Sequence, residues 1–558
     1  MLYQINTSAW LAWAGLLCVS LILGRGVAAQ PSPAAPGAIA TMDAFERVEP
    51  WVRSLAVPDD AAGPDMGGAC VTLRLRGRVV GRGTSIGLGE QTLVQAARLA
   101  IADALPALIV SSDADAEARA LLEARALVVS VELAGAPVPL AEQTYTEISA
   151  SLSPGLDAVA VGLGSAADAV FPLEMLASGQ QAGSAASRLV SSISGDALTG
   201  LRQPSDLMAD ARASFFRLRT SAVSQLRAGG APKPLVRGGR LVELTDVASR
   251  RALERFVDET AAWLASLHDS DVYLPTNDSV IEPASPAGQA LRAFALARAI
   301  AVRGESVGLD RKSLRAQIEQ LNTPDTTSRA LANLARSELD MPMLELDPAD
   351  DRGGPVSRAI AAFALARAGE RERAERLLKG LRRVENPAEL VGAMPWLGWA
   401  EQAAAGEGEI PSAVALREMR RIVTDFQLTA ADAGADNLDL VGGIVFTSGT
   451  LPLPTWQSAR PVAFLASMLS DGRLTTPAEQ DAELASLLRS LRFLRQLAAS
   501  EAEAFIYREP ASALGGIRAA VWDQQMPTDA SAMTLLALVE TLESLDSMAR
   551  KDRQDGPK

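Results

Sequence analysis

The chain contains very little cysteine and histidine: two cysteines and one histidine among 558 residues. Structural zinc needs four Cys or His ligands, so a thiolate zinc site is excluded by count. Cys18 lies in an apolar N-terminal segment, and a chain that loses this segment keeps only Cys70 and cannot form an internal disulfide. Any metal would need carboxylate ligands, and no EF-hand loop pattern is visible. The sequence therefore predicts neither a metal nor a cofactor.

Basic and aromatic residues are also in short supply. Lys and Arg number 53 against 67 Asp and Glu, which gives a net charge of −14. A general nucleic-acid binder would carry a basic footprint, so no nucleic-acid partner is expected. Aromatic residues make up 4% of the chain, so Ala, Leu and Val must fill the cores. A hydrophobic content of 48% and this length predict a globular protein of two or more domains.

Long apolar runs are confined to the start of the chain. "AWLAWAGLLCVSLILG" (9–24) is shorter than the roughly 20 residues that span a bilayer comfortably. Val27-Ala28-Ala29 then places small residues where a signal peptidase would cleave before Gln30. We therefore predict a signal peptide over 1–29, a flexible Pro/Ala-rich lead-in over 30–43, and a periplasmic or secreted protein. The alternative is an uncleaved N-terminal membrane anchor.

A mixed α/β region follows. "ACVTLRLRGRVVGRG" (69–83) alternates apolar and basic residues, which is typical of half-buried strands, with a turn at Arg76-Gly77-Arg78. "TLVQAARLAIADAL" (92–105) has the apolar stripe of a helix. "ARALVVSVEL" (124–133) predicts a strand, and 155–176 predicts two more strands around a glycine turn.

The order of these pieces resembles the AMMECR1 domain, a small α/β fold. The matching stretches are "CVTLRLRGRVVGRGTS", "VVSVELAGAPVPL", "SPGLDAVAVGLG" and "AVFPLEML". They cover roughly 67–195, and we place the AMMECR1-like domain at 44–202. Arg82 stands where that family has a cysteine, so thiol chemistry at this position is not expected. The resemblance implies a fold and does not imply a reaction.

The second half of the chain is predicted to be helical and repetitive. Residues 203–245 contain Gly and Pro breaks and predict a connecting segment with a possible hairpin. From 246 to 548 the pattern is almost purely helical, and 549–558 is predicted to be a disordered tail. "QALRAFALARA" (289–299) recurs as "SRAIAAFALARA" (357–368).

A second repeat pairs glycine doublets with polar turns. "GGIVFTSGTLPLPTWQSARPVAFLASML" (442–469) and "GGIRAAVWDQQMPTDASAMTLLAL" (515–538) each contain Gly-Gly-Ile, a loop, a Pro-Thr turn and an apolar helix. The glycines permit backbone angles that a Cβ would forbid. This layout resembles the α/α toroid of terpenoid cyclases and prenyltransferases. The resemblance implies an all-α ring of helical hairpins over 246–548, so the fold class is an α+β domain followed by this ring.

The chemistries best known for that toroid are not expected. A prenyltransferase would need an Asp, Cys and His zinc set, but residues 246–558 contain no cysteine. A cation-generating cyclase would need an acid cluster of the DxDD type and an aromatic-lined cavity. "PTDASAM" supplies only one acid, Asp529.

Four acids and one arginine on the glycine loops are candidates for chemistry. Asp436 and Asp439 lie in "ADNLDLVGG", and Asp523 lies on the loop of the last repeat, just before Asp529. A carboxylate pair there could provide an acid and a base for glycoside cleavage. The alternatives are solvated loop acids and, for Asp529, a first-turn acid that favours the helix N-terminus. Arg518 is a candidate ligand-binding residue.

Tryptophans near the same loops could stack on sugar rings, or could simply pack a core. They are Trp456 and Trp522, together with Trp396 and Trp399. His268 is the only histidine for a Ser-His-Asp triad, but no helix is predicted to begin at the serine of "GTSIG" (83–87), so a nucleophile elbow is not expected.

Two classes of function remain open. The first is a non-catalytic binding or scaffolding protein that captures a polysaccharide or another exported protein at the concave end of the ring. The second is a carbohydrate-active hydrolase or lyase with loop carboxylates in the funnel. An enzyme should gather Asp436, Asp439, Asp523 or Asp529 around a pocket, whereas acids scattered on the rim favour binding.

Overall fold

The computed structural model of the chain describes residues 34–109, 115–267, 272–273, 285–346, 354–383, 390–445 and 453–555. The predicted signal peptide and His268 lie outside these residues. The first helix begins at Ala38 and buries Thr41, Ala44 and Phe45, so the predicted flexible lead-in over 30–43 is wrong from Ala38 onward. No helix of the described residues is both long and apolar enough to span a bilayer.

The first half of the chain folds around an antiparallel sheet. Its strands are β1 Met66–Leu75, β2 Arg78–Gly89, β3 Val128–Ala134, β4 Val138–Leu140, β5 Asp157–Leu163, β6 Ala166–Val170, β7 Ala213–Gln225 and β8 Pro232–Leu235. The main path runs β2-β1-β3-β7-β5-β6, and β4 and β8 also pair with β7. The two end strands, β2 and β6, contact each other, so the sheet is nearly closed. The predicted strand–turn–strand at 69–83 is confirmed.

Helices surround this sheet. They are α1 Ala38–Ser54, α2 Thr92–Leu108, α3 Ala116–Ala124, α4 Tyr145–Ser151, α5 Pro172–Ser178, α6 Ala182–Ser194 and α7 Pro204–Asp210, with a 3₁₀ turn at Thr199–Leu201. The apolar stripe predicted for 92–105 is the buried face of α2, which packs on β1 and β2. The predicted α/β architecture of the N-terminal half is therefore confirmed.

Residues 203–245, predicted from the sequence to be a connecting segment, also form part of the sheet. They contain β7, which pairs with β3, β4, β5 and β8 and so joins the two halves of the sheet. The predicted hairpin is present, since β7 and β8 pair from Ala222–Leu235 to Gln225–Pro232. Without β7 the path between β3 and β5 would be broken, so this segment belongs to the core of the α/β region.

The second half is helical. Its helices are α8 Arg250–Ser266, α9 Pro286–Arg303, α10 Arg311–Glu319, α11 Thr326–Glu338, α12 Pro355–Arg367, α13 Arg371–Leu381, α14 Trp396–Ala405, α15 Ala413–Asp425, α16 Ala430–Ala433, α17 Ala459–Leu469, α18 Pro477–Leu497, α19 Glu501–Ala504, α20 Pro510–Ala513 and α21 Thr528–Asp555. 3₁₀ turns lie at Leu244–Asp246, Gly304–Val307, Ala435–Leu440 and Trp456–Ser458. Two short strands, β9 Val272–Tyr273 and β10 Met526–Pro527, pair antiparallel. The predicted disordered tail over 549–558 is wrong as far as Asp555, because α21 continues to that residue.

Six of the described helices close into a ring. Each contacts the next in the order α9, α11, α12, α14, α17 and α21, and α21 returns to contact α9. Helices α8, α10, α13 and α18 lie against one or two ring helices each. The ring helices are apolar on almost every side, which is typical of helices buried on all faces: α12 buries every residue from Ala359 to Ala366.

The glycine doublets are structurally equivalent in the two repeats. Gly442 and Gly515 both have φ of 88°. In each repeat the Ile of Gly-Gly-Ile donates its N–H to the Ser of the Pro-Thr-x-x-Ser turn: Ile444 to Ser458 and Ile517 to Ser531, both at 3.0 Å. The motif therefore fixes how the chain leaves an outer helix and enters a ring helix, which is the architectural role that the sequence indicated.

Candidate functional site

The acids of the first glycine loop lie at the junction between the sheet and the helical region. Asp436 Oδ2 lies 2.9 Å from Nη2 of Arg219 on β7. The fully buried Asp439 accepts from Nη1 of Arg237 at 2.5 Å, and Nη2 of Arg237 contacts Asn437. The loop therefore ties the two halves of the protein together. Asp436 and Asp439 do not contribute to the ring cavity described below.

Asp523 and Asp529 lie at the end of the ring where its helices begin. Burial raises the pKa of Asp523. Burial also raises the pKa of Asp529, and the guanidinium of Arg460 offsets part of that rise. Residues 274–284, 347–353 and 446–452, which precede α9, α12 and α17, are outside the described residues. Both carboxyls are thus partly desolvated at the same end of the ring.

The other candidates of the last repeat are held by backbone groups. Trp456 donates its N–H to the carbonyl of Ala519 at 3.0 Å, which places it beside the last loop. Arg518 is 1% exposed and donates to the carbonyls of Leu497 and Gln496 at 3.1 and 2.5 Å. Trp522 is half-buried against the helical core. These contacts position the loop against the end of α18.

The opposite end of the ring, where its helices end, holds a cavity of about 520 Å³. We call this site the ring mouth. Its charged wall consists of Arg298, Glu338, Arg367, Glu540 and Glu543, its aromatic floor of Phe294, Phe363 and Trp399, and its neutral polar wall of Gln402, Ser467, Ser470, Ser544 and Ser547. Asp471, Arg550 and Lys551 complete the rim. Each of the six ring helices contributes at least one residue to the mouth, so the cavity depends on closure of the ring.

Arg298 organises the charged wall. Its Nε lies 2.9 Å from Glu540 and its Nη1 lies 3.5 Å from Glu338, while Nη2 contacts Glu543. Burial lowers the pKa of Arg298, but the three carboxylates outweigh burial and hold the pKa above its usual value. Glu338 also accepts from Nη2 of Arg367 at 2.7 Å. The carboxylates of this wall are therefore fixed in place by permanent cations.

The aromatic floor is a continuous set of edge and tilted contacts. Ring centroids are 6.5 Å apart for Phe294 and Phe363, and 5.5 Å apart for Phe363 and Trp399. Trp396 backs the floor, at 6.2 Å from Phe294 and 5.4 Å from Trp399. Aromatic pairs at these distances stabilise one another, so the floor is rigid before any ligand arrives.

A larger groove of about 1000 Å³ lies between α14, α15 and α18. Its lining includes Arg382 and Leu390, which border the undescribed segment 384–389. We take the ring mouth, which is lined by residues of all six ring helices, as the candidate site.

Most of the ring mouth was missed by reasoning from the glycine loops, although one sequence signal was present. The repeated helices share the pentapeptide "FALAR", at 294–298 and 363–367. Phe and Arg four residues apart lie on the same helical face. The repeat thus places Phe294 with Arg298, and Phe363 with Arg367, on the wall of one cavity, with both arginines on Glu338. Trp399 was named in the sequence and lies in the floor.

The arrangement is suited to recognition. Phe294, Phe363 and Trp399 are only 2%, 8% and 5% exposed, so they give the cavity a small apolar floor, while fixed carboxylates, an amide and hydroxyls around it can accept and donate hydrogen bonds. Among the residues that the structure describes, no group of three His, Cys, Asp or Glu side chains is placed to hold a metal ion.

Comparisons with known proteins identify neither a family nor a function for the chain. No protein-family model and no curated protein matches the chain. Among solved structures, the uncharacterized protein PH0010 from Pyrococcus horikoshii is 18% identical, with 36% of this chain and 96% of that chain covered and a TM-score of 0.25. Similarity at this level supports no conclusion about fold or function. What the structure itself establishes is a mixed α+β N-terminal half followed by an all-helical C-terminal half.

Proposed function

We propose that the protein is an exported, non-catalytic binding or scaffolding protein that holds its ligand at the ring mouth. The observation that carries this proposal is the rigid aromatic floor beneath a wall whose carboxylates are already paired with arginines. Paired carboxylates keep their geometry and charge, which suits a recognition surface. The lining is 4 basic against 4 acidic residues, so the cavity is close to neutral overall.

We favour a polysaccharide over another exported protein as the ligand. A cavity of about 520 Å³ accommodates a small number of sugar rings, whose C–H groups can contact the small exposed part of the aromatic floor and whose hydroxyls can bond to the polar wall. A protein partner would insert a side chain or a terminus in the same place. The export part of the proposal rests on the N-terminal sequence alone.

Two family assignments accompany this proposal. The nearly closed antiparallel sheet, with its strand–turn–strand where the motif lies, supports an AMMECR1-like domain. The closed ring with equivalent glycine turns supports a toroid of the terpenoid-cyclase type.

A carbohydrate-active hydrolase or lyase is the second candidate, and one observation favours it. Asp523 and Asp529 both have raised pKa values, caused by burial, at one end of the ring. A raised carboxyl pKa is what a general acid needs at neutral pH. This candidate therefore rests on the end of the ring opposite to the mouth.

One experiment separates the two candidates. The purified protein is titrated with a panel of cell-wall and storage polysaccharides and their oligosaccharides, with binding read by calorimetry and cleavage by release of new ends. We expect binding without cleavage, and an affinity about tenfold lower in Trp399→Phe and Glu543→Gln, equivalent to about 1.4 kcal/mol. Trp522→Phe, at the other end of the ring, is the matched control and should bind normally. Cleavage that is lost in Asp529→Asn or Asp523→Asn would establish the enzyme instead.

A further inference from the structure

The acids and the cations of the ring mouth differ in how far they are already neutralised. The three acids of the charged wall all contact the guanidinium of Arg298. The fourth acid, Asp471 on the rim, lies 2.6 Å from Nη2 of Arg473, an arginine outside the lining. The lining therefore retains four cations against three acids that no residue outside it neutralises.

Three of the four cations have hydrogen-bond donors to spare. Arg298 uses Nε, Nη1 and Nη2 on the wall carboxylates. Arg367 makes one hydrogen bond to the described residues, from Nη2 to a wall carboxylate at 2.7 Å, and its side chain is 35% exposed. Lys551 is exposed and donates once, to the carbonyl of Ser470 at 2.7 Å. Arg550 is also exposed and has no carboxylate within 4.0 Å among the described side chains.

These cations have a structural role as well, because positive charge favours the end of a helix. Ser470 is the C-cap of α17, so Lys551 satisfies a carbonyl at a helix end. A hydrogen bond from Arg250 is the main cause of the lowered pKa of Asp546, and Arg550 contributes a smaller part. A lysine has three N–H donors and an arginine five, so these roles leave donors of both kinds available to a ligand.

The spare donors lie on opposite sides of the cavity. Arg367 is at the end of α12, whereas Arg550 and Lys551 are near the end of α21. In the order of contacts around the ring, α12 and α21 are three helices apart out of six, so they face each other across the mouth. The cavity of about 520 Å³ lies between them and provides the space for a ligand. A ligand that spans the mouth would therefore meet a cation at each side.

We propose that the ligand of the ring mouth is an acidic polysaccharide whose sugar rings carry carboxylate groups, an inference that rests on the proposed function. Arg367 binds one carboxylate through its unused donors, and Lys551 and Arg550 bind a carboxylate at the other side. The sugar rings between them contact the aromatic floor and the neutral polar wall. Arginine and lysine form charge-assisted hydrogen bonds with carboxylates, which are stronger than those with sugar hydroxyls.

Calorimetric titration of the full chain with tetragalacturonate and with its methyl ester tests the proposal. The two probes share the same sugar rings, and only the first is charged. The titrations are run at about 50 mM salt, because higher salt screens exposed charges. We expect the free acid form to bind about tenfold more tightly than the ester. Arg367→Gln should weaken its binding about tenfold and Lys551→Gln about threefold, without a change for the ester.

Arg202→Gln is the matched control, because it removes one exposed arginine from the N-terminal half and should bind both probes as the wild type does. Lys551→Gln keeps the test decisive if Arg367→Gln does not fold, since Lys551 is an exposed side chain near the end of α21. Tetraglutamate, which has carboxylates but no sugar rings, should bind at least tenfold more weakly than tetragalacturonate.

Four results would overturn the acidic ligand. They are equal or tighter binding of the ester, equal binding of tetraglutamate, binding of tetragalacturonate that survives both variants unchanged, and no binding of tetragalacturonate at all. In each of these cases the proposed function is judged separately. It fails only if no member of the polysaccharide panel, neutral or acidic, binds at the mouth.

Discussion

Replacement of Gly515 by alanine is expected to lower the stability of the helical region by about 3–5 kcal/mol. Gly515 has φ of 88°, a conformation that L side chains rarely adopt, and an added Cβ would lie 2.4 Å from the carbonyl oxygen of Glu259 on α8. Gly442 is equivalent, with the carbonyl oxygen of Arg489 at 2.0 Å from the added Cβ. Gly442→Ala should therefore cost a similar amount.

The matched control for both variants is Gly472→Ala, where an added Cβ would meet nothing within 4 Å. Chemical denaturation followed by far-UV circular dichroism measures the effect, because the helical region dominates that signal. We expect a clear downward shift of the midpoint for the two doublet variants and a change within about 0.5 kcal/mol for the control. Equal midpoints for all three variants would mean that the doublets do not hold the ring helices in place.

Removal of the carboxylate of Asp439 is expected to cost about 3–5 kcal/mol. The side chains of Asp439 and Arg237 are 0% and 1% exposed, so Asp439→Ala leaves a buried guanidinium without its counter-ion. The remaining acceptors of Arg237 are Asn437 and the carbonyl of Pro154. Because the pair joins the two halves of the protein, the loss should also weaken their contact.

Asp436→Ala is the control for this prediction. The Asp436 side chain is 57% exposed, and its ion pair with Arg219 should contribute no more than about 1 kcal/mol. The two variants differ by three positions in the same loop, so a comparison of their denaturation midpoints isolates the effect of burial. A loss for Asp439→Ala no greater than that for Asp436→Ala would contradict the assignment of Asp439 as an interdomain tie.

Regular patterns in the sequence predicted much of the fold, whereas β7 was missed for a physical reason. In the strand–turn–strand at 69–83 apolar and basic residues alternate regularly, and the two Gly-Gly-Ile segments predict equivalent turns. In β7 the alternation is obscured because polar residues are buried: Arg219, Thr220, Ser224 and Gln225 are all at most 7% exposed. Their partners lie on α1, on β3, at the start of β5 and on the loop at 436, which no local pattern reveals.

The ring mouth was hard to predict because no single segment encodes it. Its wall is assembled from six helices that are separated by tens of residues, each of which contributes only a few side chains. The end of α21 illustrates the difficulty. "ARKDRQDGPK" has the composition of a solvated tail, yet Arg550 and Lys551 line the cavity, and Lys551 donates to the carbonyl of Ser470 at 2.7 Å. Only the repeated pentapeptide "FALAR" indicates which helix faces line the cavity.

The most direct test of the ring mouth is hydrogen–deuterium exchange with and without a saturating oligosaccharide identified in the binding screen. We predict that the ligand protects backbone amides near Arg298, Arg367 and Trp399 and along 540–551, where ring helices meet the cavity. Protection confined to the last glycine loop and the start of α21, over 515–531, would contradict this account and place the binding site at the opposite end of the ring.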